Sequence, residues 1–243
     1  LTKARQIRQF VRIRIRTTPA KEEIAMRTVR NGALVVLAVL SLAACESPGK
    51  GKPQAEVGKA ATPPPPAATP APAAETVAIN PQNAKIEFVG AKVTGKHDGG
   101  FRNFSGAISL SPTGPQASRI ALDIDMTSIW SDNEKLTGHL KSPDFFEIEK
   151  YPKATFTSTQ IAAAPEGGSK YMVTGNLEMH GVTKAITFPA TIEVAPAQVT
   201  ANAEFVLKRK DFNVSYPGAP DDLISDDVLL KLAVTAPRAA AHG

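Results

Sequence analysis

A single cysteine, Cys45, in 243 residues excludes a disulfide framework and any zinc site built on several thiolates. Aromatic residues are scarce, at 6% of the chain. The apolar run from Ala33 to Ala44 is only twelve residues long. At about 1.5 Å of rise per residue it falls well short of a hydrocarbon core of roughly 30 Å, so it is not a transmembrane helix. Positive charge is lacking where a nucleic-acid groove would need it. The net +5 comes from residues 1–44, which carry nine Lys/Arg against two Asp/Glu; the other 199 residues carry 19 basic and 21 acidic side chains. A nucleic-acid partner is therefore not expected. With 42% hydrophobic residues, the chain is too apolar to be disordered throughout.

Signatures of common chemistry are lacking too. His97, His139, His180 and His242 form no His-Glu-x-x-His or His-x-Glu pattern, and none pairs with a cysteine, so no metal site is expected. There is no Gly-x-Ser-x-Gly elbow, and a Ser–His–Asp triad would have to assemble in space. His180 reads as a turn residue and His139 as a polar position on a short helix. The run Asp221–Asp227 lacks the alternating ligands, central Gly and terminal Glu of a calcium loop, and reads as a solvated loop. No catalytic residue is assigned, and the chain is not expected to be an enzyme.

What is present begins with an address. From Met26 the chain reads Met-Arg-Thr-Val-Arg-Asn, then the apolar run, then Leu42-Ala43-Ala44-Cys45. Residues 26–44 have the layout of a secretory signal. Leu42–Cys45 resembles the bacterial lipobox, which implies a lipidated Cys45, and Glu46 after it implies the outer membrane. Residues 1–25, with five arginines ahead of a complete signal, are expected to be an over-extended gene start. Residues 45–76 hold eight prolines among Ala, Thr, Gly and Lys. They read as an extended tether several nanometres long, partly polyproline II. Residues 238–243 read as a tail.

Residues 77–237 carry the fold. Ile86 and Phe88, Ile120, Leu122 and Ile124, Ile186, Phe188, Ala190 and Ile192, and Ala201, Ala203, Phe205 and Leu207 each recur at period two among polar neighbours. Such alternation marks strands with one dry and one wet face. Eight are predicted, over about 85–94, 103–110, 119–126, 153–161, 170–178, 184–194, 198–208 and 228–235. His180-Gly181 marks an antiparallel hairpin. One helix is expected between the third and fourth strands, with capping-box spacing at Ser131 and Glu134, a shared face at Leu136 and Leu140, and a stop at Pro143. Eight antiparallel strands close most simply into a barrel, with a two-sheet sandwich as the competing architecture. Nine of the ten phenylalanines fall in this region. Core and ligand-pocket linings share that composition.

Several segments in order resemble the YceI-like family: Gly100-Phe101-Arg102-Asn103-Phe104-Ser105-Gly106, Ser128-Ile129, His139 to Phe146, Tyr151 to Phe156, Gly175 to Lys184, and Arg209-Lys210-Asp211-Phe212. The resemblance spans nearly all of 77–236. It implies an eight-stranded antiparallel lipocalin-like barrel with a helix near a cavity, which in some members holds an isoprenoid, a quinone or a fatty amide. Ser131-Asp132-Asn133-Glu134 departs from the family's longer polar turn. The expected function is an envelope lipoprotein on the periplasmic face that carries or sequesters a long-chain isoprenoid or quinone, with no obligatory cofactor. The expected apolar lining is Phe88, Phe104, Phe145, Phe146, Phe156, Phe188, Phe205 and Phe212, with Arg102 and Arg209 as head-group candidates. The alternative is a filled barrel that serves as a non-catalytic envelope interaction module, and pairing into a homodimer is left open.

Overall fold

The computed structural model describes residues 47–62 and 75–238. Residues 1–25, the signal at 26–44, Cys45, and residues 46, 63–74 and 239–243 lie outside the described residues. In chain order the elements are β1 (Glu56–Lys59), β2 (Glu75–Ile79), β3 (Ala84–Lys92), β4 (Gly95–Phe101), β5 (Phe104–Leu110), β6 (Arg119–Asp125), β7 (Ile129–Ser131) and helix α1 (Glu134–Lys141). They continue with β8 (Lys153–Ala163), β9 (Lys170–Met179), β10 (Val182–Val194), β11 (Gln198–Lys208), the two-residue strands β12 (Gly218–Ala219) and β13 (Asp222–Leu223), and β14 (Asp227–Pro237).

All strands except β12 and β13 belong to one antiparallel sheet, in the order β2-β5-β6-β8-β9-β10-β11-β14-β3-β4-β7, with β1 added against β10. The sheet curls into a lipocalin-like half-barrel around its apolar face. The strand count differs from the expected eight: each predicted strand is present, and β1, β2, β4 and β7 extend the sheet. The β9–β10 hairpin turns on His180 (φ 51°) and Gly181 (φ 73°), between the paired Met179 and Val182. Two consecutive left-handed residues match the right-handed twist of the flanking strands, which is why a two-residue loop suffices.

β4 is legible only in three dimensions. Its sequence, Gly-Lys-His-Asp-Gly-Gly-Phe, carries three glycines and no apolar alternation, and no strand is predicted over it. Phe88 lies opposite Gly99, and a side chain there would meet the Phe88 ring at 2.3 Å. The glycine gives that ring its place, and the strand follows from pairing with β3.

Helix α1 is eight residues long. Its N-cap is Asn133, not Ser131: Asn133 Oδ1 accepts from the Leu136 N–H at 3.1 Å, while the Ser131 hydroxyl donates to the Asn133 carbonyl at 2.7 Å. The residue just before the first helical turn is the one whose side chain reaches its free N–H groups. Ser142 and Pro143 then end the helix.

The tether expectation is corrected for its first part. Residues 47–62 are docked on the barrel: β1 pairs with β10 from Glu56↔Thr187 to Lys59↔Lys184, and Ala55 is 5% exposed. The Ser47 hydroxyl donates to Asp227 Oδ2 at 2.9 Å. Glu75 and Thr76, also assigned to the tether, open β2. A segment with little apolar content of its own is ordered here by an unpaired strand edge, which offers backbone partners whatever the side chains are.

Candidate functional site

The inward faces of the strands enclose a cavity of about 290 Å³. This is near the lower end of small-molecule sites, which run from roughly 300 to 1,000 Å³. Along β14, Val228, Leu230, Leu232 and Val234 all line it. Six strand steps at about 3.4 Å make an apolar track of about 20 Å.

The walls are built by strand parity. Phe156 on β8, Val173 and Leu177 on β9, Ile186 and Phe188 on β10, and Phe205 and Leu207 on β11 point to one side. Phe188 and Phe205 stack with centroids 4.3 Å apart and planes 14° apart, and Phe156 tilts against Phe188 at 5.9 Å. One end is covered by α1 and the turn after it, through Leu136, Leu140, Phe145 and Phe146. His139 on α1 is held edge-on between Phe145 (4.9 Å) and Tyr216 (5.0 Å), with Nε2 at 2.9 Å from Asp144 Oδ2. It buttresses the cover from outside.

Of the expected lining residues, Phe88, Phe145, Phe146, Phe156, Phe188 and Phe205 border the cavity. Phe104 and Phe212 are corrections. Phe104 is 7% exposed in a packed cluster with Ile108 and Ile124, and Phe212 is fully buried at the end of a 3-10 turn, Arg209–Phe212. Both are dry, but their neighbours fill the space around them. Phe101, Met126 and Met179 line the cavity and were not anticipated. Parity could have found the aliphatic lining, notably Leu230 and Leu232. Phe101 sits on the strand that glycines disguise.

The two arginines separate. Arg102 is exposed, its guanidinium 5.5 Å from the centre of the Trp130 ring, and it borders a polar surface groove with Asn103, Ser128 and Lys141. As a head-group candidate for the cavity it is set aside. Arg209 borders the cavity and is 6% exposed. Its Nε donates to Ser225 O (2.9 Å), Nη1 to Val214 O (2.6 Å) and Nη2 to Ile224 O (3.3 Å). Burial lowers its basicity, opposed by the charge of Asp226. Three of its five N–H groups are thus spent on the loop that follows it.

The other chemically capable residues do not converge. His97 pairs with Asp132 at 2.8 Å, and His180 donates from Nδ1 to Phe212 O at 3.2 Å. The acidic run is used residue by residue. Asp222 binds Lys92 and accepts from Thr94 N–H, Asp226 accepts from Lys210 N–H, and Asp227 accepts from Ser47. Among the described residues, no three His, Cys, Asp or Glu side chains come together in a way that could hold a metal ion. Also among them, no helix is long and apolar enough to cross a membrane.

The comparisons agree with this architecture. The chain is 35% identical over 136 residues to a UPF0312 protein of Pseudomonas putida strain F1, covering 54% of this chain and 70% of that protein. It is 33% identical over 122 residues to Protein YceI of Escherichia coli O157:H7, covering 48% and 62%. Among solved structures it is similar to Burkholderia cenocepacia BcnA, with a TM-score of 0.55, 27% identity and coverage of 63% of this chain and 96% of that one. A polyisoprenoid binding domain from Saccharophagus degradans shares the fold, with a TM-score of 0.55, 18% identity and coverage of 68% and 99%. The YceI-like domain model matches residues 78–236, most of the barrel, and the chain belongs to the YceI-like family.

Proposed function

We propose that this protein is an envelope lipoprotein whose barrel binds a single amphiphile with a long apolar tail, of the isoprenoid or quinone class, for carriage or sequestration. The observation that carries the reading is the apolar cavity along the inside of the sheet, about 290 Å³ in volume. A filled barrel acting only as an interaction module has no use for that space. The same-fold domain from Saccharophagus degradans, described as polyisoprenoid binding, fits the proposed ligand class. No step of bond making or breaking is assigned; the protein's work is desolvation of the tail. Each buried CH₂ contributes about 0.8 kcal/mol, close to fourfold in affinity.

The test is direct. The full purified chain, extracted with organic solvent and examined by mass spectrometry, is expected to yield a co-purifying lipid. A series of quinones with lengthening prenyl tails is expected to bind more tightly by about fourfold per carbon until the cavity is full, then level off. Lipid-free preparations that bind no quinone or isoprenoid would overturn the reading. The anchor is tested separately: fatty-acid labelling is expected in the parent and absent in Cys45→Ser. With residues 47–62 docked, an acyl group on Cys45 would hold the barrel against the bilayer. From Cys45 to the first described residue, Ser47, extended backbone reaches at most about 7 Å.

A further inference from the structure

The strand order leaves a gap that one short segment fills. β10 and β11 pair with each other only through Thr191–Val194 and Val199–Asn202, next to their hairpin. Beyond Asn202 they part, and residues 53–59 lie between them. β1 pairs antiparallel with Lys184–Thr187 of β10. On its other side the segment runs parallel to β11: Ala55 N–H donates to Val206 O, and Val206 N–H donates to Pro53 O, each at 2.8 Å. Just inside this gap lie the stacked rings of Phe188 and Phe205, both of which line the cavity. Ala55 is buried in the same cluster, with Val57 packed against it.

The attachment of this stave is light. Eleven residue pairs join β11 to β14 and ten join β9 to β10, whereas β1 makes four. Its residues Glu56, Gly58 and Lys59 are exposed, so Ala55 and part of Val57 are the only apolar side chains it buries. Polar ties on either side of it include Ser47 to Asp227, the exposed pair of Lys52 with Glu204, and the two-way amide clasp of Asn176 on Ala61. Segments with few buried contacts open at lower free energy than the sheet they lean on. The stave also lies outside the stretch matched by the family model, 78–236.

We propose that residues 53–59 form a displaceable stave, and that the slit it closes between β10 and β11 is the side entrance through which an amphiphile passes into the cavity. The proposal rests on the carrier reading above. A lateral slit lets an apolar tail leave a bilayer sideways, without carrying its whole length through water.

Glu56 and Thr187 are directly opposed, on the outer parity of the wall. Directly opposed antiparallel residues have Cα atoms about 4.5–5.5 Å apart, within the span a disulfide accepts. The full chain carrying Cys45→Ser, Glu56→Cys and Thr187→Cys is therefore assayed twice, oxidised and reduced. The probe is cis-parinaric acid, a polyene fatty acid whose fluorescence rises on leaving water, followed by stopped flow. Oxidation is expected to slow both uptake and release by about tenfold or more, with a much smaller change in equilibrium affinity, and reduction of the same sample restores both rates. Equal rates in the two states would overturn the side entrance while leaving the cavity reading intact. No uptake in either state would overturn the cavity reading, and the entrance with it. A second variant opens the stave. A side chain at Gly49 would meet Val206 Cγ2 at 2.1 Å, so Gly49→Leu unseats the turn that leads into the segment. Faster uptake and release are expected. Parental rates in Gly49→Leu, with hydrogen exchange showing the stave released, would refute the proposal.

Discussion

Arg209→Met removes the one guanidinium that ties the barrel wall to the loop between β11 and β14. Three carbonyls, of Val214, Ile224 and Ser225, lose their donor. Hydrogen bonds to a charged group contribute a net of about 1.5–3 kcal/mol each, with desolvation already included. One of the three is long, at 3.3 Å, and neighbouring contacts do not add fully, so a loss of about 3–5 kcal/mol is expected. With a urea slope of about 2 kcal/mol/M, the unfolding midpoint falls by about 2 M. The loss has a place as well as a size. Hydrogen exchange is expected to rise first at Val214 and Ile224, whose N–H groups donate to Arg209 O and Pro217 O. Arg209→Lys is expected to recover only a small part, because an ammonium cannot reproduce the fork that reaches three carbonyls. A midpoint shift below about 0.5 M, or a loss with exchange at these amides unchanged, would refute the assignment of Arg209 as a structural pin.

Other expectations follow from the same contacts. Phe188→Ala deletes the ring stacked on Phe205 and touching Phe156, and is expected to cost about 3–5 kcal/mol in urea unfolding while shifting the quinone series toward longer or bulkier tails. Asn133→Ala removes the N-cap of α1 and is expected to cost about 1 kcal/mol, with exchange rising at Leu136 N–H. Asp222 is held below the ordinary carboxylate range, first by its hydrogen bond to Lys92; burial opposes this, and the N–H and hydroxyl of Thr94 reinforce it. Because its folded value is depressed, its contribution is complete above the unfolded value of about 3.9 and lost as pH falls through the lower folded one. Exchange at Val93 N–H, which donates to Leu223 O, is expected to rise only in that acid window and to lose this pH dependence in Asp222→Asn. Protection that is flat through the acid window in the parent would remove Asp222 from this role.

The surroundings of Phe104 and Phe88 show where legibility ended. Both phenylalanines sit at inward parity, and sequence alternation placed both on the dry side of the sheet. Phe104 meets Ile108 and Ile124, whereas Phe88 meets a void. Alternation reports which face of a strand avoids water. Whether that face touches a neighbour or a space depends on how far the opposite wall has curled away, a property of the whole sheet. β4 was hidden for a related reason: glycine is a turn signal in one dimension and a seat for the Phe88 ring in three.

Local patterns in the chain specify an antiparallel β domain, the positions of its eight alternating strands, one short helix, the His180-Gly181 turn and the family. Periodicity, turn chemistry and helix-stop signals are local, and each is written in a few consecutive residues. It takes the folded sheet to show that it is wider than eight strands, that Arg209 is buried while Arg102 stacks on the surface, and that residues 47–62 complete the wall instead of spanning free solvent. In each case the deciding partners are remote in sequence, and residues 47–62 are the clearest instance. A strand edge left open by the divergence of β10 and β11 confers structure on a segment whose own residues do not ask for it, and such an edge exists only once the rest of the sheet has formed.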